Sequence, residues 1–137
     1  MARNGDVDPM IPGTKVVAIF GFCDIRQFTD ATEVLQEEVM LFVNEIAEVV
    51  HGIVDRFSGA ANKNIGDAFL LVWKYAEEDT EVEETIGNLV TKKNDRVKQI
   101  ADMSVISFLK IIAQIKKSHK LLKYQKRKDL NQRMPNY

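Results

Sequence analysis

The stretch "NKNIGDAFLLVW", Asn62 to Trp73, decides the fold. Its second half, Ala68 to Trp73, is a short apolar run bounded by a turn signal and reads as a strand. The Gly66-Asp67 pair before it suits a two-residue hairpin loop, because glycine accepts the positive φ that such loops require. A short strand around Ala60 to Asn62 then leads into the turn. Further back, "SGAANKN" is a helix exit with Ser58-Gly59 as its stop signal. The helix it ends carries Leu35, Val39, Phe42, Val43, Ile46, Val49, Val50, Ile53 and Phe57 at three- and four-residue spacing, one apolar face of a long element. Asp30 followed by Glu33 has the capping-box pattern and marks the start. Before that, "KVVAIFGFCDI" is rich in β-branched and aromatic residues and reads as a buried strand from about Val16 to Cys23. Residues 1–14, with Gly5, Pro9, Pro12 and Gly13, read as an irregular leader. The order strand, helix, strand, turn, strand predicts an α+β fold.

Downstream the composition changes. Over 75–98 the acidic "AEEDTEVEE" precedes the basic "KKNDRVK", which reads as a charged surface insertion, poorly ordered in part. A second amphipathic helix is expected from Ile100 to Lys117, with Met103, Ile106, Leu109, Ile112 (or Ile111) and Ile115 on its apolar face. The tail "LLKYQKRKDLNQRMPNY" carries no clear end signal, and the chain has no internal repeats.

The chain has 137 residues, 45% of them hydrophobic, enough for the core of one domain. A net charge of −1 gives no overall field toward nucleic acid or a membrane surface, so nucleic acid is not expected as a partner, while membrane tethering of a longer parent protein stays open. The charges are nevertheless divided. Residues 1–75 hold 6 Lys/Arg against 11 Asp/Glu, a net −5, and residues 76–137 hold 13 against 9, a net +4. The acidic half is where a metal belongs. In the basic half, Lys116, Lys117, Lys120, Lys123, Lys126, Arg127 and Lys128 could meet phosphate or an acidic surface, or simply form a solvated helix face and tail. Cys23 is the only cysteine, which excludes an internal disulfide or a multi-cysteine zinc site and fits a reduced, cytoplasmic compartment. No apolar run approaches the roughly 18 residues of a membrane span. The first residues also lack a secretory signal's apolar stretch. His51 and His119 have no partners at ligand spacing.

Two aspartates sit at unusual places: Asp24 after an apolar strand, and Asp67 at the hairpin turn. A lone buried carboxylate costs several kcal/mol unless it is paired, hydrogen-bonded or bound to metal, and a central hairpin beside the first strand would bring these two together. Two hard oxygen donors suit Mg²⁺, which keeps positions open for phosphate oxygens. The loop after Asp24 runs into a helix N-terminus, where free N–H groups favour an anion. Plainer readings exist for each residue: Gly66-Asp67 as an ordinary turn, Asp24 accepting backbone N–H groups, Lys63 solvated, Cys23 an apolar filler, and Trp73 in core or edge packing.

Taken together, "FGFCDIRQFTDATE" and, about 40 residues on, "GAANKNIGDAFLLVW" resemble the N-terminal half of the class III nucleotide cyclase catalytic domain, the adenylyl/guanylyl cyclase family. That family carries Phe-x-Asp-Ile-x-x-Phe-Thr, then Lys or Glu four residues before the aspartate of a Gly-Asp pair, and the match covers roughly residues 15–74. The resemblance implies a partial ferredoxin-like sheet with helices packed on one face. It implies Asp24 and Asp67 as catalytic, metal-binding carboxylates, the Ile25 carbonyl as a further ligand, and Phe28 and Thr29 in the phosphate-binding loop. Two Mg²⁺ (or Mn²⁺) ions per site would serve conversion of ATP to the 3′,5′-cyclic nucleotide and pyrophosphate in cyclic-nucleotide signalling. Lys63 falls at the base-recognition position, where a donor suits N1 of adenine and glutamate would suit guanine. ATP is therefore the expected substrate and GTP the lesser one. Such sites are shared between two chains, so a homodimer or pairing with a second cyclase domain is implied.

The sequence departs from the pattern in three ways. Gln27 stands where many members have glycine, a position open to a side chain only if φ stays negative. The 75–98 segment replaces a short link. The Asn-x-x-x-Arg segment that steadies ribose and phosphate in the family is missing, which predicts a fragment or truncated domain, inactive alone, with an exposed sheet edge and apolar face. The alternatives are a non-catalytic regulatory or dimerisation module with a cyclase-like fold, and an unrelated ferredoxin-like domain.

Overall fold

The structure, a computed structural model, describes residues 10–134, so the first nine residues of the expected leader lie outside it. Strand β1 (Ala18–Asp24) is followed by helix α1 (Phe28–Leu35), a 3₁₀ turn (Gln36–Glu38), helix α2 (Val39–Arg56), and strands β2 (Ala60–Ile65) and β3 (Ala68–Lys74). A second 3₁₀ turn (Glu77–Asp79), strands β4 (Thr80–Val82) and β5 (Leu89–Thr91), and helices α3 (Asp95–Lys117), α4 (His119–Gln125) and α5 (Lys128–Arg133) complete it. The protein is a mixed α+β fold with a three-stranded antiparallel sheet, order β1-β3-β2, and a separate β4-β5 hairpin.

Side chains alternate across a pleated strand, and β3 follows that rule. Phe69, Leu71 and Trp73 are buried among the helices, whereas Ala68, Leu70 and Val72 on the other face are only half-buried. In β1 the residues paired with the buried set, Ile19, Gly21 and Cys23, share its face. From the helical layer Phe42, Ile46, Val50, Ile53 and Val54 of α2 and Ile111 of α3 close the core. Each such side chain adds about 1.5–3 kcal/mol when fully buried.

The single long helix expected between β1 and β2 is two. Gln36 leaves the right-handed region at φ 49°, and the 3₁₀ turn redirects the chain before α2 begins. Leu35 and Val39 stand at helical spacing on either side of the break, so periodicity is blind to it. Asp30 is not the N-cap. Helix α1 starts at Phe28 after Gln27, with no side-chain cap, and the carboxylates of Asp30 and Glu33 instead accept from Arg133 at 2.9 and 2.7 Å.

The apolar face expected for α3 is also rotated. Ile111 is buried and Ile115 half-buried, but Ile106, Leu109 and Ile112 face solvent while Ser104 and Ser107 are buried. Apolar residues occur on several sides of this helix, and its rotation is set by Phe108, whose ring lies over Gly21 with its centroid 5.7 Å from that of Trp73. The two serine hydroxyls remain satisfied by donating back to the carbonyls of Ala101 and Met103, both at 2.7 Å.

The 75–98 segment, expected to be poorly ordered in part, holds the β4-β5 hairpin and a polar knot at its base. Buried Asp79 accepts from Asn94 Nδ2 at 3.0 Å and pairs with Arg96 at 2.8 Å, while Asn94 Oδ1 caps α3 by accepting from the Val97 N–H at 2.9 Å.

The divided charge is met in part within the chain. Lys120 and Lys123 of α4 pair with Glu48 and Glu45 of α2, both at 3.0 Å, and Arg127 pairs with Glu38 at 2.8 Å. Arg127 also donates to the Asp129 carboxylate and holds it below the usual carboxyl range. The acidic surface open to the basic half is thus α1 and α2 of the same chain. Leu130 and Met134 then enter the core behind these pairs.

Helix α2 ends in a Schellman motif. The N–H groups of Ser58 and Gly59 return to the carbonyls of Asp55 and Val54 at 3.4 and 2.9 Å, with Ser58 left-handed at φ 64°. Gly59 lies against Trp73, whose indole N–H donates to the Phe57 carbonyl at 3.1 Å, and a Cβ at position 59 would sit 2.7 Å from that ring. Ser58→Gly should therefore stabilise the fold by about 1 kcal/mol, and Gly59→Ala should cost about 1–3 kcal/mol through overpacking. Urea unfolding of both variants checks the opposite signs.

Candidate functional site

The C-terminal end of β1 and the β2-β3 turn meet at one corner of the sheet. Asp24 stands across from Ala68, and the N–H of Ile25 donates to the carbonyl of Asp67 at 3.0 Å, one step beyond the last register pair. The turn is a two-residue hairpin with positive φ at Gly66 only (62°), the pattern of a type II′ turn with glycine first. Asp67 is thus both an ordinary turn residue and the backbone neighbour of the Asp24–Ile25 segment. The sequence reading treated these as two competing accounts.

Burial is not what singles out the two aspartates. Asp24 is exposed and Asp67 half-buried, so the desolvation cost expected of lone buried carboxylates is largely absent. Neither carboxylate receives a hydrogen bond or ion pair from the described residues, which leaves their oxygens open. Asp24 does not accept the backbone N–H groups that its plainest reading required. No group of three or more His, Cys, Asp or Glu side chains is gathered at ligand spacing among the described residues. A cation here would draw on two carboxylates, the Ile25 carbonyl and solvent or phosphate oxygens, a hard-oxygen set suited to Mg²⁺.

The faces matter as much as the corner. Asp24 pairs with Ala68 and Lys63 with Leu70, so both point to the sheet face opposite the helices. Strand β3 runs between them, which separates their backbones by roughly 10 Å in the pairing direction. Lys63 forms no ion pair among the described residues. The face they share is apolar and uncovered: Phe20, Phe22 and Ile65 are 61%, 64% and 50% exposed, beside half-buried Leu70 and Val72. The Ile65 position lies within β2, which runs three residues beyond the short strand expected from the sequence.

Phe28 and Thr29 form the first turn of α1, directly after the Ile25–Gln27 loop. The Phe28 carbonyl accepts from the Thr32 hydroxyl at 2.8 Å, while the first-turn N–H groups of such a helix lack intrahelical partners. Gln27 takes φ 52° and ψ 37°, the left-handed region. The negative φ on which a side chain at that position depends is not what the loop adopts.

On the opposite, helical side of the corner lies a cavity of about 600 Å³ that no sequence motif announced. Cys23 of β1, Phe42, Ile46 and Val50 of α2, Ile111 of α3 and Tyr124 of α4 help line it, and Arg26 and Lys116 border it. Its residues come from distant parts of the chain, so only the closed fold brings them together. Burial pushes the Cys23 thiol pKa up, which leaves it a weak nucleophile at neutral pH.

No family model, curated protein or solved structure matches this chain. Among the described residues no helix is long and apolar enough to cross a membrane.

A side chain held in the left-handed region costs about 1–2 kcal/mol relative to glycine. Gln27→Gly should raise stability by about 1 kcal/mol in chemical denaturation without shifting the α1 boundary. An unchanged or lower midpoint would show that Gln27 makes a compensating contact.

Proposed function

We propose that this chain carries the metal- and phosphate-binding half of a class III nucleotide cyclase site, built on a partial ferredoxin-like sheet and directed at ATP. The observation that carries the reading is the corner itself. The β1-β3 register and the Ile25-to-Asp67 bond set the backbones of two residues with unpartnered carboxylates side by side, just before the first turn of α1. A small antiparallel sheet in the order β1-β3-β2, with its helices on one face, is a scaffold on which this reading can rest.

In this reading Asp24, Asp67 and the Ile25 carbonyl hold the cations, and the N–H groups of Phe28 and Thr29 receive phosphate oxygens. Bound there, two Mg²⁺ or Mn²⁺ ions would supply charge stabilisation at the α-phosphate and acidify the ribose 3′-hydroxyl. The chain's own contribution is to position nucleotide triphosphate rather than to provide a nucleophile, as an intramolecular displacement requires. Lys63 donates to adenine N1 in a second site, because β3 separates it from Asp24 of its own chain.

The uncovered face supports a second copy as partner. Phe20, Phe22 and Ile65 lie on the same face as Asp24 and Lys63, and exposed apolar patches of this kind mark interaction sites. A dimer through this face would bring Lys63 of one chain toward the aspartates of the other. The same exposure also favours the non-catalytic dimerisation module, which keeps the interface without the nucleotide.

Nucleotide binding separates the two readings, since the sequence has no Asn-x-x-x-Arg segment to complete turnover. A fluorescent ATP analogue should bind the 137-residue chain only with Mg²⁺ or Mn²⁺, and Asp24→Ala or Asp67→Ala should weaken binding tenfold or more, about 1.4 kcal/mol. Lys63→Glu should reduce the preference for ATP over GTP analogues. Metal-independent binding, or wild-type affinity in both aspartate variants, would reject the site and leave the module.

Sedimentation provides the matching test of the interface. The wild-type chain should form dimers at micromolar concentration, and Phe22→Asp, which alters an exposed position, should yield monomers with unchanged circular dichroism. A monomeric wild type, or an equally dimeric variant, would remove the interface.

A further inference from the structure

We infer that the cavity behind β1 is a binding site for a free fatty acid, its alkyl chain among the helices and its carboxylate between Arg26 and Lys116. Three observations carry this. First, protein interiors are close-packed, yet core side chains here leave a recess of about 600 Å³, within the roughly 300–1,000 Å³ range of small-molecule sites. Second, the lining is dominated by Phe42, Ile46, Val50, Phe69, Ile111 and Tyr124, a surface for hydrocarbon and not for a polar metabolite. Third, the cations at its border are unspent. Lys120 and Lys123 of the adjoining α4 are committed to carboxylates of α2, Arg127 to Glu38 of the 3₁₀ turn before it, and Arg133 to Asp30 of α1. Arg26 and Lys116 have no such partner among the described residues, although both are exposed and both touch the cavity.

An apolar recess bordered by two unpaired cations selects an amphiphile with one anionic end. A carboxylate can accept from a guanidinium in two parallel hydrogen bonds and from an ammonium as a point charge. Asp24 also borders the cavity, but the strand register directs its carboxylate to the opposite sheet face, away from the bound anion. The site is independent of the nucleotide reading, because its apolar lining lies on the helical side of the sheet, opposite the face of Asp24 and Lys63. It adjoins that reading only through the shared Cys23–Arg26 backbone.

The experiment compares decanoate with 1-decanol on the full chain, by isothermal titration below the micellar concentration of decanoate. Decanoate should bind saturably at one site per chain and more tightly than decanol. Arg26→Ala combined with Lys116→Ala, both at exposed positions, should weaken decanoate about tenfold and leave decanol unchanged. Cys23, the only thiol, gives an internal reporter: saturating decanoate should slow its alkylation by N-ethylmaleimide in the wild type. No saturable binding, equal affinity for acid and alcohol, an unaffected double variant, or undiminished alkylation under saturation would each overturn the proposal.

Discussion

The register of β3 between β1 and β2 is the constraint on which the rest depends. A slip of one residue would exchange the two faces of the strand and send Phe69, Leu71 and Trp73 to solvent in place of Ala68, Leu70 and Val72. Trp73 fixes the register most firmly. It is fully buried, donates to the Phe57 carbonyl, lies on Gly59 and receives Phe108, so it ties β3 to the end of α2 and to the middle of α3. The same register that satisfies this core sets Asp24 across from Ala68. The position of the candidate carboxylates is a by-product of where the tryptophan must go.

Charge acts at a second level. The acidic and basic halves of the chain look like separate partners' surfaces, yet Glu38, Glu45, Glu48, Asp30 and Glu33 meet Arg127, Lys123, Lys120 and Arg133 across the α1-α2 and α4-α5 surfaces. Exposed pairs of this kind contribute little individually. Their arrangement along one seam fixes which way the C-terminal helices lie, and burial of Leu121, Leu130 and Met134 supplies the stability. Arg26 and Lys116 are set apart from the other unpaired cations by their place at the border of the cavity.

The molecule is strongly one-sided. Among the described residues, the helices that pack on the three-stranded sheet lie on the face of Trp73, and Phe20 and Phe22 on the other face are exposed. One consequence is that polar residues with chemical capacity, Asp24 and Lys63, stand on the uncovered side together with apolar ones. An exposed apolar surface of that kind suits contact with a partner more than it suits permanent solvation.

The amino-acid sequence alone determined the three strands of the main sheet, the hairpin at Gly66-Asp67, the exit of α2 at Ser58-Gly59 and the inward residues of α2, because these rest on local periodicity and turn chemistry; it did not reveal the β4-β5 hairpin. It also proposed Asp24 and Asp67 as a pair on a burial argument that exposure does not support, and their segments do adjoin through the backbone. Only the tertiary structure decided the break at Gln36, the rotation of α3 and the assignment of Asp30 and Glu33 to Arg133. Helical spacing continues across the break, α3 has apolar residues on more than one side, and a capping pattern cannot reveal a partner about a hundred residues away. The cavity belongs to the same class: strand, loop and three helices each bring a few residues, and only their packing encloses a volume.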